Sequence, residues 1–239
     1  MPFSYNAIKM KRGEFMVNPN YLNNNMNKCF CFKSYFRLLN AIVGSPAIDV
    51  YLNEMLISSN LKYGEFSRYV KLMPGNYKIV VYPSGNQKEA IFETDIIIGK
   101  NLAYTGVLAG RITDISNLSI FMIPDAKEDQ TMNRMSAVKI VNLIPDTVPL
   151  DLVTEDGTVL FSGIEYGETT SNVALPSGAY TLHLRVKGDD KNILTAPNID
   201  FAPKMYYTLF VIGEYGANGA KPKIEIIIPE DGLNYLDLC

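Results

Sequence analysis

The sequence repeats one stretch, whose first copy reads Asn40…Asp49…Tyr63-Gly64-Glu65…Gly75-Asn76-Tyr77…Tyr104…Gly110. The second copy reads Asn142…Asp151…Tyr166-Gly167-Glu168…Gly178-Ala179-Tyr180…Tyr207…Gly213. Matching residues lie 102 or 103 positions apart. Solenoid and propeller repeats are shorter, at roughly 20–50 residues. The repeat therefore predicts two complete domains in tandem.

Short apolar runs separated by turn residues fill both copies. In the first copy, residues 47–52 alternate between apolar and polar and then turn at Asn53-Glu54. In the second, residues 150–154 precede Asp156-Gly157, a dipeptide that tolerates the positive φ of a tight hairpin. Each copy holds about seven such runs without a helical period, so the sequence predicts an all-β chain of two tandem immunoglobulin-like or transthyretin-like β-sandwich domains.

Changes in composition set the predicted boundaries. Residues 1–34 are rich in Asn and lack a sustained apolar period, so we expect an irregular N-terminal arm there. The first sandwich is predicted over residues 35–124 and the second over 136–230. Residues 125–135 are polar and form the predicted linker, and residues 231–239 form a C-terminal tail.

Charge is distributed unevenly along this chain of net charge −3. Residues 1–39 hold six basic residues and one acidic residue, whereas the remainder holds 16 basic and 24 acidic ones. The acidic body argues against a nucleic-acid-binding surface. The basic arm is expected to contact either an acidic partner or the protein's own acidic body.

Targeting and cysteine patterns bear on the location of the protein. Lys9, Lys11 and Arg12 are followed by residues 13–19, which contain no apolar segment, so no secretory signal is predicted. No apolar run reaches the about 18 residues of a transmembrane helix. Three cysteines cannot build a disulfide framework and suit a reducing compartment. The predicted location is the cytoplasm, or a spore or envelope layer reached without classical secretion.

Four segments together resemble the bacterial DUF4397 family: Ser45-Pro46-Ala47-Ile48-Asp49-Val50-Tyr51-Leu52-Asn53, Leu61-Lys62-Tyr63-Gly64-Glu65, Leu72-Met73-Pro74-Gly75-Asn76-Tyr77 and Tyr104-Thr105-Gly106-Val107. The resemblance covers most of the first domain and extends more weakly to the second, where residues 145–151 differ. It implies an all-β sandwich in a bacterial protein, commonly repeated and often attached to the cell envelope, and it implies no catalytic residues. The absence of an export signal departs from the envelope pattern.

Two pairs of carboxylates recur, Asp49 with Asp151 and Glu65 with Glu168. Paired carboxylates can serve acid–base catalysis or bind Ca²⁺, but carboxylates also cap loop amides or pair with arginine. Recurrence favours the structural interpretation, because both copies need these residues to fold. The same interpretation covers the other recurring motif residues: Tyr63, Gly64, Gly75, Tyr77, Tyr166, Gly167, Gly178 and Tyr180.

Residues suited to nucleophilic or metal chemistry are sparse. His183 is the single histidine, and no Gly-x-Ser-x-Gly turn accompanies it, which argues against a Ser–His–Asp triad. Cys29 and Cys31 are the weak candidates for metal ligands, with Cys239 as a third thiol; unpaired thiols in tails are the alternative. No Gly-rich phosphate loop occurs. We therefore expect no catalytic residue and no cofactor.

Three hypotheses about function follow. The leading one is a non-enzymatic binding or structural module, associated with a bacterial envelope or spore layer, which presents loops and edge strands to a protein or polysaccharide partner. The alternative is a self-assembling protein whose edge strands pair with the N-terminal arm. The third is a carboxylate-based enzyme, which predicts a cleft holding acids of raised pKa.

Overall fold

The chain forms two β-sandwiches, as the sequence predicts. The computed structural model describes residues 8–10, 33–125, 134–216, 222–229, 231, 232 and 236, with the backbone alone given for residues 8–10. Within these ranges there is no α-helix, and hence no helix of the length and apolarity that a membrane span requires. Most of the predicted N-terminal arm lies outside the described residues.

The strands of the first domain are β1 (Ile8–Met10), β2 (Ser34–Val43), β3 (Ile48–Leu52), β4 (Met55–Leu61), β5 (Val70–Leu72), β6 (Gly75–Pro83), β7 (Phe92–Ile98), β8 (Ala103–Arg111) and β9 (Ser119–Pro124). Those of the second domain are β10 (Met135–Asn142), β11 (Leu150–Thr154), β12 (Val159–Ile164), β13 (Val173–Pro176), β14 (Gly178–Val186), β15 (Asn192–Phe201), β16 (Tyr206–Glu214) and β17 (Lys223–Ile227). The sequence analysis named no strand before residue 35, so β1 is an addition to the predicted set.

Each domain consists of two sheets with matching strand orders. Sheet A is β1-β9-β8-β2-β5 and sheet B is β4-β3-β6-β7; sheet C is β13-β10-β16-β17 and sheet D is β12-β11-β14-β15. The pairs β2–β8 and β10–β16 are parallel, whereas the other strand pairs are antiparallel. In an immunoglobulin constant domain the first strand pairs with the second, but β2 pairs with β5 and β8. The strand order therefore differs from that of an immunoglobulin constant domain.

Side-chain burial shows that the two sandwiches also pack against each other. Strand β7 alternates between buried and exposed residues, as expected where one face meets the core. Strand β2 is buried along nearly its whole length, which indicates cover on both faces. One apolar cluster fills each sandwich, and a third joins sheets A and C through Leu39, Ala41, Val107, Ala109, Phe121, Ile123, Val141, Leu143, Phe210 and Ile212. The sheets are thus layered in the order B, A, C, D.

The contact between sheets A and C, called the seam below, has approximate two-fold character. Arg111 and Glu214 occupy matched positions in the two repeats, 103 residues apart, and the Arg111 guanidinium donates a hydrogen bond to the Glu214 carboxylate. In a two-fold interface, residues near the axis meet their own counterparts. The two repeats therefore pack face to face as a pseudo-symmetric pair.

Candidate functional site

The recurring Tyr-Gly-Glu segments lie at the seam and are fastened to a central strand. Gly64 donates its N–H to the carbonyl of Asn40 at 2.8 Å, and Asn40 donates its own N–H to the carbonyl of Glu65 at 3.2 Å. The second domain repeats both hydrogen bonds at the matched residues, at 2.7 and 3.2 Å. This pairing explains why the asparagine and the triplet recur together.

The buried side chain of Asn40 extends the same attachment. Its Nδ2 donates to the carbonyl of Leu61 at 3.1 Å, and its Oδ1 accepts the N–H of Ile42 at 3.2 Å. Asn142 makes the two matching hydrogen bonds, both at 3.1 Å. A buried polar side chain without these partners would be destabilising, so the asparagine and its loop form one structural unit.

Both triplet glycines adopt a positive φ, and the glycine of the second triplet also allows the domains to approach closely. Gly64 and Gly167 have φ of 78° and 76°, a backbone conformation that L side chains rarely adopt. A Cβ at Gly167 would overlap the ring of Phe121, whereas one at Gly64 would lie 3.6 Å from Ile227. The Phe121 ring also meets the Tyr166 ring edge to face, with centroids 5.5 Å apart. The triplets therefore pack into the seam.

The tyrosines of the triplets are removed from water at the seam. Burial, together with the nearby carboxylates of Glu225 and Glu214, raises the pKa of Tyr63 to about 12. Burial raises the pKa of Tyr166 to about 12 as well, with Asp146 adding to the shift and Arg111 opposing it. Both phenols are neutral at physiological pH, so neither supplies a phenolate for catalysis.

The recurring aspartates accept hydrogen bonds from the adjacent strand, and Asp49 also accepts them from the loop after β6. Asp49 Oδ1 accepts hydrogen bonds from Asn60 N at 2.8 Å and Ser84 Oγ at 2.9 Å, and Oδ2 accepts one from Gly85 N at 3.1 Å. Burial opposes ionisation of Asp49, but these donors outweigh it and hold the pKa of the carboxyl below its ordinary value. Asp151 accepts hydrogen bonds from Ser162 Oγ and Gly163 N, at 2.8 and 2.7 Å.

The remaining motif residues also make local contacts. Glu65 accepts the N–H of Lys62 at 3.0 Å, and Glu168 makes the matching bond at 2.9 Å. Tyr77 donates its hydroxyl proton to the carbonyl of Met73 at 2.8 Å. Tyr180 makes the matching hydrogen bond to the carbonyl of Pro176 at 2.7 Å. Gly75 and Gly178 begin β6 and β14. Each repeated side chain therefore contacts its own loop or the turn before its strand.

The outer face of sheet B, on the side away from the seam, carries two tyrosines. Tyr51 and Tyr82 lie on the adjacent strands β3 and β6, with ring centroids 5.8 Å apart and ring planes at 87°. Val80 lies directly opposite Tyr51 across these strands, and Asp49 lies opposite Tyr82. Gln87 donates its side-chain amide proton to the Tyr51 hydroxyl. The face is thus aromatic with a polar margin.

The matched face of sheet D has a different character. His183 lies opposite Val153 there, and Arg185 lies opposite Asp151. The His183 ring Nδ1 lies 2.9 Å from Thr195 Oγ1 and 3.0 Å from Asn192 Nδ2. Arg185 Nε donates to Asn192 Oδ1 at 2.6 Å. This face is a network of polar side chains with no aromatic pair among the residues just named.

Comparison with known proteins agrees with the repeat. Residues 34–135 and 136–233 each match the domain of unknown function DUF4397. The chain belongs to the DUF4397 family. The resemblance inferred from sequence is confirmed, and the two matched ranges meet between residues 135 and 136. No curated protein matches the chain.

Two solved structures are distantly similar to this DUF4397 pair. The Bacillus anthracis TIE protein matches at 10% identity with a TM-score of 0.22, covering 76% of this chain and 33% of that one. CBMbc (family CBM26) from Eubacterium rectale Amy13K, in complex with maltoheptaose, matches at 10% identity with a TM-score of 0.25, covering 82% of this chain and 98% of that one. This chain spans about a third of the length of the TIE protein. Neither likeness carries an argument about function.

A buried polar cluster in this DUF4397 pair escaped the sequence analysis. Arg37 Nε donates to Thr105 Oγ1 at 2.9 Å, and its guanidinium carbon lies 4.5 Å from the centre of the Tyr69 ring. Asp125, which directly follows β9, accepts hydrogen bonds from the Tyr69 hydroxyl, from Thr105 Oγ1 at 3.4 Å and from Gly232 N at 2.9 Å. The cluster therefore ties the C-terminal segment to the end of the first domain.

Lys139 brings the second domain into the same cluster. Its side chain is 5% exposed, and Nζ donates to the carbonyl of Pro124. Burial lowers the pKa of Lys139, while the carboxylates of Asp231 and Asp125 oppose that shift. Lys139 and Arg37 occupy matched positions, three residues before the repeated asparagines. A basic residue at the matched position of two otherwise apolar strands was the feature of the sequence that could have predicted this buried cluster.

The predicted metal candidates lie outside the part of the chain that the structure describes. Within the described ranges, no group of three or more His, Cys, Asp and Glu side chains is placed to hold a metal ion. Cys29, Cys31 and Cys239 lie outside those ranges. The prediction about the thiols therefore stays a prediction.

Proposed function

We propose that this tandem DUF4397 pair is a non-enzymatic binding or structural module of a bacterial envelope or spore layer, which presents loops, edge strands and outer sheet faces to a partner. One observation carries the proposal. The side chains that recur in both repeats contact neighbouring strands and loops of their own domain or the seam, whereas the outer faces of sheets B and D differ between the repeats. Residues needed for the fold are shared, and residues free to serve a partner have diverged.

The electrostatics of the recurring acids support the non-enzymatic part of the proposal. A general acid at neutral pH needs a raised carboxyl pKa, typically achieved by burial without donors. The pKa of Asp49 is instead lowered by its hydrogen-bond donors. Its three hydrogen bonds hold Asn60 of β4 and residues 84–85 of the loop after β6, as expected of a structural carboxylate.

A binding assay with the full chain tests the proposal. The purified protein is mixed with envelope fractions, spore-layer fractions and purified glycans, then sedimented, and the pellet is probed with an antibody. We expect the protein to sediment with at least one fraction. If it stays in the supernatant with every fraction at high protein concentration, the proposed partner class is wrong. A heat-denatured sample provides the control for nonspecific sedimentation.

Self-assembly is a second candidate, favoured by the position of β1. Its three residues pair antiparallel with β9, so that Ile8 lies opposite Met122 and Met10 lies opposite Ile120. An edge strand that accepts this segment from its own chain can accept it from a neighbouring copy. Deletion of residues 1–32 leaves β2 intact and should then abolish oligomers measured by light scattering. An unchanged oligomeric state in the deletion variant would exclude this candidate.

A further inference from the structure

We propose that the outer face of sheet B in the first domain binds a neutral polysaccharide, with Tyr51 and Tyr82 as the residues on which sugar rings stack. The inference rests on the proposed function, because it names the partner class and the site of the binding module. It concerns a face that the matched sheet of the second domain does not reproduce.

The geometry of the two rings suits a sugar ring. Both tyrosines are half-buried, so each is anchored on the sheet and still accessible. Their perpendicular arrangement, at a centroid separation of 5.8 Å, forms a corner with one ring face and one ring edge. The electron-rich face of an aromatic ring attracts the polarised C–H groups that line one side of a pyranose. A sugar ring seated in the corner contacts both tyrosines.

Apolar and polar neighbours complete the surface. Leu56 lies opposite Tyr51 on β4 and is 48% exposed, and Val80 lies opposite it on β6. Gln87 holds the Tyr51 hydroxyl through its side-chain amide and belongs to an exposed loop, residues 84–89. Phenol and amide groups both donate and accept hydrogen bonds, which sugar hydroxyl groups require. The surface therefore combines stacking with hydrogen bonding at its edge.

Charge and size argue for a neutral glycan over other polymers. Acidic residues outnumber basic ones on and beside this face, with Asp49, Glu89, Glu93 and Asp95 against Lys78 and Lys88. Lys78 pairs with Glu93 at 2.6 Å. A polyanion such as nucleic acid or an acidic polysaccharide is repelled by such a face. A stable protein interface needs about 800 Å² on each partner with an apolar centre, more than two tyrosines and two aliphatic side chains provide.

The second domain shows that the fold does not require these tyrosines. Val153 and Arg185 occupy the positions matched to Tyr51 and Tyr82, on strands with the same pairing. The aromatic corner is therefore a feature of one repeat, added to a sandwich that folds without it. This difference also supplies a control position for the experiment.

Affinity electrophoresis of the full chain tests the inference. Native gels contain soluble starch, a mixed-linkage β-glucan or a glucomannan, with polygalacturonate as the anionic comparison. We expect at least one neutral polysaccharide to retard the wild type, and Tyr51→Ala or Tyr82→Ala to weaken binding about tenfold. Tyr51→Phe retains the ring and should bind, and Arg185→Ala, at the matched position, should bind as the wild type does. If an alanine variant unfolds, Tyr82→Arg is used in its place. Arginine occurs at the matched position of the second sandwich, as Arg185, so the fold accommodates it.

The outcomes separate this site from the general function. Retardation of the wild type and of both tyrosine variants alike would overturn the site while leaving a glycan-binding function intact. Retardation by polygalacturonate alone, or by none of the neutral polymers, would overturn the inference. The sedimentation assay with envelope and spore fractions then decides the proposed function by itself, because it does not depend on these tyrosines.

Discussion

The seam and the outer faces of this protein lie on different sheets of the same two sandwiches, and they differ in how closely the repeats agree. At the seam, the two repeats present matched residues to each other: Gly64 faces Ile227, Gly167 faces Phe121, and Arg111 pairs with Glu214. On the outer faces Asp49 and Asp151 recur, but the Tyr51–Tyr82 corner of one domain is replaced by a polar network in the other. The repeated residues named here serve packing, whereas residues on the outer faces differ between the repeats.

The largest expected effect comes from breaking the buried charge cluster of the seam. Lys139→Ala removes a buried side chain and the donor of the hydrogen bond to the carbonyl of Pro124. The cavity left by the side chain and the unsatisfied carbonyl together should cost about 3–5 kcal/mol in the free energy of unfolding measured in urea.

The exposed Lys78 provides the matched control. Its single ion pair, with Glu93, lies on the outer face of sheet B where solvent screens it. Lys78→Ala should leave the urea midpoint unchanged. If both lysine variants shift the midpoint equally, the cluster does not stabilise the seam.

The triplet glycines should respond unequally to the same substitution. Gly64→Ala and Gly167→Ala impose the same positive-φ strain, about 1–2 kcal/mol. Gly167→Ala also forces a methyl group into the Phe121 ring, so its total cost should reach about 2–5 kcal/mol. Thermal unfolding of both variants measures the difference. Equal losses would show that the seam relaxes around the added methyl group.

The repeat and the alternating strands made the two sandwiches predictable. The same residues did not predict that sheets A and C would pack against each other. Strand β2 holds Leu38-Leu39 and Ala41-Ile42, apolar pairs that place side chains on both faces of the sheet. Such a run indicates burial on both sides, but it does not name the covering element. The partner sheet lies about a hundred residues away in sequence, and local periodicity carries no information about contacts at that range.

The Tyr51–Tyr82 site was even harder to predict from the sequence than the seam. Tyr51 and Tyr82 are 31 residues apart, and only the strand register brings them together. Within the sequence Tyr51 belongs to the run that carries the family resemblance, and Tyr82 ends an ordinary apolar strand. The matched residues Val153 and Arg185 are the relevant signal, because a repeat that changes at two nearby positions of one sheet face indicates a surface that the fold does not constrain.

Alkaline pH should weaken the seam through its two tyrosines. Burial raises the pKa of both Tyr63 and Tyr166 to about 12, from an ordinary value of 10.0. The folded state therefore holds these protons more tightly, so the stabilisation is complete below pH 10 and is lost as the pH rises towards 12. A Tyr63→Phe, Tyr166→Phe double variant should lose less stability than the wild type across that range. Parallel pH profiles of the free energy of unfolding would contradict the assignment.

The smallest effect on stability is expected from transplanting one outer face onto the other. Val80→His with Tyr82→Arg gives sheet B the residues that His183 and Arg185 supply in sheet D, and it places the new arginine opposite Asp49, as Arg185 lies opposite Asp151. Because the same strand pairing already accommodates these side chains, the free energy of unfolding should change by less than about 1 kcal/mol. The aromatic corner is destroyed, so binding to neutral polysaccharide should be lost in affinity electrophoresis. A variant that is strongly destabilised, or that still binds, would show that the two outer faces are not interchangeable surfaces on a common scaffold.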